Sequence, residues 1–331
     1  MHRQQPFDRR TAPGPTGLTS PPHALLHGTP APLAGPHAAG RPTRVAAPAT
    51  CGELGQGQID GQDFLINCPI DLYARATVRS ADEAGFRVEG PGSLTKVIAA
   101  IGQMGRQFGF VPDERVTLYS PIPRGKGMAS STADISAALM ALAQHRGIEM
   151  SQAGLARLIT SIESSDCVHV TGIGEVNHLT GQILNSWPAP RGMRVIVLDC
   201  GSAVDTVGFD RDRARALYAE ARQEVLHFRA LLRYGLTLGD PEAIGRGATL
   251  SARLSQRILP KPALEDLIRI ALAHGAWGVN CAHNGTVLGV LYNDARPSTE
   301  ALLNAIEGVF GRDLALLGHY RLISGGCQHA I

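Results

Sequence analysis

The sequence predicts an α+β fold in two halves, and three observations predict it. Strand-like runs crowd the first half without alternating one-for-one with helices, as a doubly wound sheet would require. The second half is richer in helical periodicity. A length of 331 residues with 44% apolar and 18% charged content suits a globular chain large enough for two domains.

The elements follow in order. Residues 63–68, 72–79, 85–89 and 114–120 are β-branched or alternating runs separated by Gly or Pro. Residues 93–108 look helical. So do 131–146, where Ile135, Ala138, Leu139 and Leu142 recur at helical spacing, and about 151–163. Strands are expected near 179–185 and 194–199. Residues 210–233 carry a stripe from Ala214 to Leu232, with Gly235 as the stop. Helix 263–273 ends before Gly275. Strand 278–282 leads through Asn284-Gly285, which reads as a type I′ hairpin turn, into strand 286–292. Helix 297–309 and strand 318–323 complete the chain. There is no internal repeat, and the halves meet near 185–195. The expected organisation is a tail at 1–44 and domains at 45–190 and 191–331.

Composition narrows the function classes. Residues 1–44 hold nine prolines, one acid (Asp8) and five scattered arginines, and read as a disordered extension with neither a secretory core nor an amphipathic transit helix. A net charge of +2, with no aromatic interleaving among those arginines, gives no nucleic-acid surface. No apolar run is long enough to span a membrane. Six widely spaced cysteines, none in a C-x-x-C pair, suit reduced thiols in a cytoplasmic protein better than a zinc or disulfide framework. The sequence assigns no oligomeric state.

The most informative stretch is Pro121-Ile-Pro-Arg-Gly-Lys-Gly-Met-Ala-Ser-Ser-Thr-Ala133. A strand leads in and a helix leads out. Gly125 and Gly127 let the backbone curl close to a ligand. Ser130, Ser131 and Thr132 stand at the helix start, where free N–H groups and the helix dipole favour an anion. Arg124 and Lys126 add positive charge. The same residues also satisfy an ordinary Ser/Thr helix cap after a glycine turn. The loop is not a Walker A loop, because Gly127 follows Lys126 and no glycine stands at Ser120.

The stretch resembles the second motif of the GHMP kinases, P-x-x-x-G-L-G-S-S-A, with Pro123, Gly127, Met128, Ala129, Ser130, Ser131 and Thr132 in register. Met128 replaces Leu. Ala129 replaces Gly, which puts the backbone's approach to phosphate in question. The segment from Ala47 to Gly57, with its Gly52-Glu53 step, resembles the family's first motif. Its wording, together with Cys68-Pro-Ile-Asp71, is similar to the L-threonine kinases of cobalamin synthesis. Gly278–Gly289 occupies the place of the third motif.

The resemblance implies a two-domain GHMP kinase fold, an S5-like N-terminal domain followed by a ferredoxin-like one. It implies ATP and Mg²⁺ as cofactors and a small-molecule hydroxyl, that of an amino acid or amino-alcohol, as acceptor. Pro123, Gly125, Gly127, Met128, Ala129, Ser130, Ser131 and Thr132 would hold the nucleotide. Ser131 and Glu163 would hold the metal, and Lys126 would neutralise developing charge. Asp166 is placed as the base, as a substrate contact or as a turn cap. Glu175 and Asp199 are rivals for the base. Glu53, His283 and Asn284 are placed at the substrate, although Glu53 also reads as a solvated turn residue and Glu163 as a helix-end acid. The implied reaction converts L-threonine to its O-3-phosphate. Homoserine, or a non-catalytic binding role, is the alternative.

Overall fold

The computed structural model describes residues 41–80, 85–201, 210–293 and 299–330. Most of the segment read as a tail lies outside these residues, and β1 (Thr43–Ile59) begins two residues within it.

β1 and β2 (Gln62–Ser80) form one long antiparallel hairpin, with partners from Thr43↔Val78 to Ile59↔Gln62. The turn residues Asp60 and Gly61 both have positive φ, 51° and 79°, as a type I′ turn requires. The sequence suggested two strands at 63–68 and 72–79. They are one strand, because register shifts between Pro48 and Gly55 let the ladder bend past the prolines. β3 (Arg87–Glu89) and β4 (Glu114–Tyr119) extend the sheet on one side. The expected strand at 179–185 is instead a hairpin of β5 (Ile173–Asn177) and β6 (Gln182–Trp187).

On the other side lie β7 (Arg194–Asp199), β8 (Gly278–Cys281), β9 (Val287–Tyr292) and β10 (Ala315–Arg321). The strand order is β10-β7-β9-β8-β1-β2-β4-β3. The pairing Glu53↔Cys281 joins β1 to β8, so one sheet carries residues of both halves. β11 (Gln328–His329) returns to pair with the start of β1.

Three helices serve the first half: α1 (Thr95–Phe108), α2 (Ser130–His145) and α3 (Gln152–Thr160). Every residue of α2 from Thr132 to Ala143 is buried. Its alanines let it pack closely between β1 and β2 and the helices α1 and α3, so that it is buried all round rather than on one stripe.

The helix expected over 210–233 is two: α4 (Arg211–Glu220) and α5 (Arg222–Leu238), broken at Ala221. Gly235 does not end it. α5 runs on to Gly239, whose φ is 69°. Gly235 is needed for packing, since a Cβ there would stand 2.8 Å from Ile244 on the next helix. That helix, α6 (Pro241–Ser255), was not expected, although Asp240 caps it and Pro241 opens it. Gly245 and Gly247 hid the pattern. Both are demanded by tertiary contact, Gly245 against the Trp277 backbone and Gly247 against Leu232. α7 (Leu264–Ala273) and α8 (Thr299–Phe310) follow.

Candidate active site

The three sequence motifs meet on one backbone contact. Thr50 N–H donates to the Met128 carbonyl at 3.2 Å, and Gly52 N–H to the Gly127 carbonyl at 3.1 Å. From the other side, the Thr286 and Val287 N–H groups both donate to the Lys126 carbonyl. Gly52, Gly127 and Gly285 are glycine because there is no room for a Cβ. A Cβ on Gly52 would lie 2.5 Å from Ala282 N, and one on Gly285 2.5 Å from the Gly127 Cα. This corrects the turn expected at Asn284-Gly285. Neither residue has positive φ, so it is not type I′. The glycine is there for its neighbour.

The start of α2 is not an ordinary Ser/Thr cap. The N-cap is Ala129 at φ 58°, ψ 27°, and no side chain caps the helix. Ala129 therefore takes the left-handed conformation that glycine would take, with its methyl in the buried apolar cluster. Ser130 and Ser131 are half-buried and open the helix, and their hydroxyls hydrogen-bond to no described residue. Met128 and Thr132 are buried, so only their backbones are available to a phosphate. Pro123 is half-buried and Gly125 is exposed.

The cations beside the loop are already engaged. Lys126 Nζ lies 2.8 Å from Asp199 Oδ2. Burial opposes the charge on Asp199, but Lys126, Thr286 and the Gly201 N–H outweigh it and hold its carboxyl below the usual range. Asp199, the rival base, is thus engaged by Lys126 and Thr286. Arg124 donates to the Pro91 carbonyl at 2.8 Å and to Asp134 Oδ2 at 2.9 Å. Glu175, the other rival, is fully buried and clamped by Arg229 and Arg233 at 2.6 and 2.7 Å.

Glu163 follows the last turn of α3. Its Oε2 accepts from Lys96 Nζ, on the first turn of α1, while its Oε1 is buried without a hydrogen-bond partner. Asp134 lies one helical turn beyond Ser131 on α2. Burial raises the Asp134 pKa, and the negative charge of Glu163 raises it further, against the pull of Ser120 and Arg124. Ser131, Asp134 and Glu163 thus share one neighbourhood. Glu163 Oε1 is the kind of orphaned carboxylate oxygen that a divalent cation satisfies, so the residues fit a metal.

Asp166 feels the charge of both Glu163 and the first-motif Glu53. Burial raises its pKa well above the usual carboxylate value, and the charges of Glu53 and Glu163 both add to the rise. Its loop is tightly held. Asn67 Nδ2 donates to the Asp166 carbonyl at 3.3 Å, and the next residue, Cys167, sits at φ 50° with its N–H on Ser165 Oγ. Strain of this sort persists where the surroundings over-determine it.

Glu53 is not a solvated turn residue. It is 6% exposed, and its Oε2 accepts from both the N–H of His283 at 2.8 Å and the His283 Nδ1 at 2.9 Å. His283 Nε2 in turn meets Ser251 Oγ at 3.2 Å. Asn284 is exposed beside this pair. Next to it opens a small cleft lined by Gln56, Asp63, His178, Arg211, Arg215 and Tyr218. Two of these carry buried orphan atoms, His178 Nδ1 and Tyr218 Oη. Burial depresses the His178 pKa and raises that of Tyr218, where Glu53 adds to the rise. Lys96, Asp134 and the cleft residues escaped sequence reasoning. The spacing of Asp134 from Ser131 was the one available signal.

Comparison with known proteins points to one family. The family model described as GHMP kinases N terminal domain matches residues 95–176, and that described as GHMP kinases C terminal matches residues 228–307. The L-threonine kinase of Salmonella typhimurium is 34% identical over 254 residues, covering 75% of this chain and 82% of that protein. The chain belongs to the GHMP kinase family. A homoserine kinase of Desulfitobacterium hafniense is also similar, 24% identical over 76% of this chain and 88% of its own. The fold of this GHMP kinase matches the crystal structure of homoserine kinase from Cytophaga hutchinsonii with a TM-score of 0.67 at 18% identity, covering 87% of this chain and 97% of that one. It has the two-domain GHMP kinase fold, with ATP as the family's phosphate donor and a small molecule as acceptor. Among the described residues, no helix is long and apolar enough to cross a membrane.

Proposed function

We propose that this GHMP kinase transfers the γ-phosphoryl group of ATP to the hydroxyl of L-threonine, giving L-threonine O-3-phosphate. The observation that carries the reading is that the first and third motif segments both hydrogen-bond to the serine loop, Thr50 to the Met128 carbonyl and Thr286 to the Lys126 carbonyl. Likeness to the Salmonella enzyme favours threonine as the acceptor. The reading includes a cytoplasmic location and supply of the product to cobalamin synthesis.

Each residue then has a task. The N–H groups at the start of α2, with Gly125, Gly127 and Ser130, hold the phosphates. Ser131 and Glu163 would hold Mg²⁺, which would supply charge neutralisation for the transferred phosphoryl group. Asp166 orients the acceptor hydroxyl and takes its proton, and its raised pKa brings it nearer to the operating pH, as a general base requires. Lys126 is matched by Asp199, so its part is to hold the loop while lending charge from one side. Glu53 and His283 form a fixed acidic wall. Arg211, which reaches Ser164 Oγ at 3.5 Å, suits a substrate carboxylate, and Asp63 suits an ammonium group.

Homoserine is the second reading, favoured by the likeness to homoserine kinases. The test is ADP release from Mg²⁺-ATP with L-threonine, L-homoserine, L-serine or aminopropanol. We expect L-threonine to give the highest kcat/KM. Release with homoserine alone overturns the threonine assignment. Absence of release with every acceptor, and of nucleotide binding, favours a non-catalytic protein. In the same assay Ser131→Ala should lose turnover while keeping its melting temperature.

A further inference from the structure

Two cationic side chains belong to the serine loop and a third, Lys96, stands on the first turn of α1, and their partners differ. Arg124 is fixed by Asp134 and the Pro91 carbonyl. Lys126 is fixed by Asp199. Lys96 is paired with Glu163, the proposed metal ligand. Of the three, Lys96 alone holds a partner that a second cation needs.

The two cannot share Glu163 without cost. An ammonium and a divalent cation on one carboxylate repel each other. Lys96 is also the one able to move. Its side chain is 55% exposed, and it reaches Glu163 from the first turn of α1 through a flexible four-carbon stem. Glu163 is held far more tightly, being 16% exposed with Oε1 buried.

We propose that Lys96 is an exchangeable counter-ion of Glu163, displaced when the divalent cation binds and then turned to the phosphates that the cation accompanies. The exchange balances charge. A cation replaces the ammonium on Glu163, and the released ammonium meets the negative charge of the nucleotide. No bond is made or broken. Lys96 thereby keeps the buried carboxylate matched between turnovers, and afterwards contributes to phosphoryl transfer. The proposal rests on Glu163 being a metal ligand.

The test uses the full chain and Mn²⁺ as the probe, with free Mn²⁺ read by electron paramagnetic resonance in the absence of nucleotide. Lys96→Met should bind Mn²⁺ about tenfold more tightly than the parent, and Lys96→Arg should stay close to the parent. With ATP and acceptor present, Lys96→Met should lower kcat at saturating Mg²⁺. Unchanged or weaker Mn²⁺ binding by Lys96→Met overturns the exchange. Glu163→Gln separates the two claims. If it weakens Mn²⁺ binding while Lys96→Met leaves it unchanged, the exchange alone fails. If Glu163→Gln has no effect, the metal assignment fails and the exchange with it. Circular dichroism melts of each variant confirm that the comparison is between folded proteins.

Discussion

Gly127 and Ala282 touch across the site: a Cβ on Gly127 would stand 2.4 Å from that of Ala282, and its φ is 81°. The serine loop and the β8–β9 connection are therefore fitted backbone to backbone. Gly127→Ala should cost about 1–3 kcal/mol of stability through overpacking and left-handed strain and should weaken nucleotide binding. Ala282→Gly removes the struck methyl, so the double variant should recover part of the loss. Urea midpoints and nucleotide titrations of the three variants check this; additive effects would disprove the contact.

Ala129 invites the reverse experiment. It holds φ 58° without glycine's freedom, so the loop carries the strain of a left-handed alanine. Ala129→Gly should raise stability by up to about 1 kcal/mol, since relief of strain exceeds the added freedom of the unfolded chain. Nucleotide affinity should hardly change, because the backbone geometry is already that of glycine. Thermal melts and titration calorimetry measure the two quantities.

In its proposed role as base, Asp166 would link rate to pH. Its raised pKa means that the folded protein holds this proton more strongly than the unfolded chain does. Stability from this group is therefore fully present below the ordinary carboxylate pKa and is lost as pH rises through the folded value. Activity runs the other way, since only the ionised form accepts a proton. The acid limb of kcat/KM should lie above the usual carboxylate range. Asp166→Asn should abolish that limb, lower kcat by roughly 10²–10⁴-fold, and be more stable than the parent at pH 8.

His169 gives an independent pH signal. It is 2% exposed, both ring nitrogens lack hydrogen-bond partners, and burial pushes its pKa down to about 3. The unfolded chain binds this proton near the ordinary histidine value, so stability is present above that value and falls as pH drops from there toward 3. The loss should be on the order of 3–5 kcal/mol when complete. His169→Phe should flatten the decline between pH 6.5 and pH 4, as read from urea midpoints.

Local chemistry made much of this protein legible. The glycines and serines of 121–132 stood out by residue type and α2 by its periodicity, whereas the Gly52-Glu53 step and Glu163 stood out only through resemblance to the GHMP kinases. α6 was hidden because Gly245 and Gly247 answer to Trp277 and Leu232 rather than to helix propensity. β2 looked like two strands because its bend lies in the register of its partner.

The sequence by itself determined which backbone segments can curl around a phosphate, since that depends on glycine and on a helix start, both local properties. Only the tertiary structure decided what surrounds them. Lys126 was committed to Asp199, Lys96 to Glu163, and Asp166 to the joint field of Glu53 and Glu163. Those choices depend on distances between residues far apart in the chain, and on the burial that strengthens charge across them.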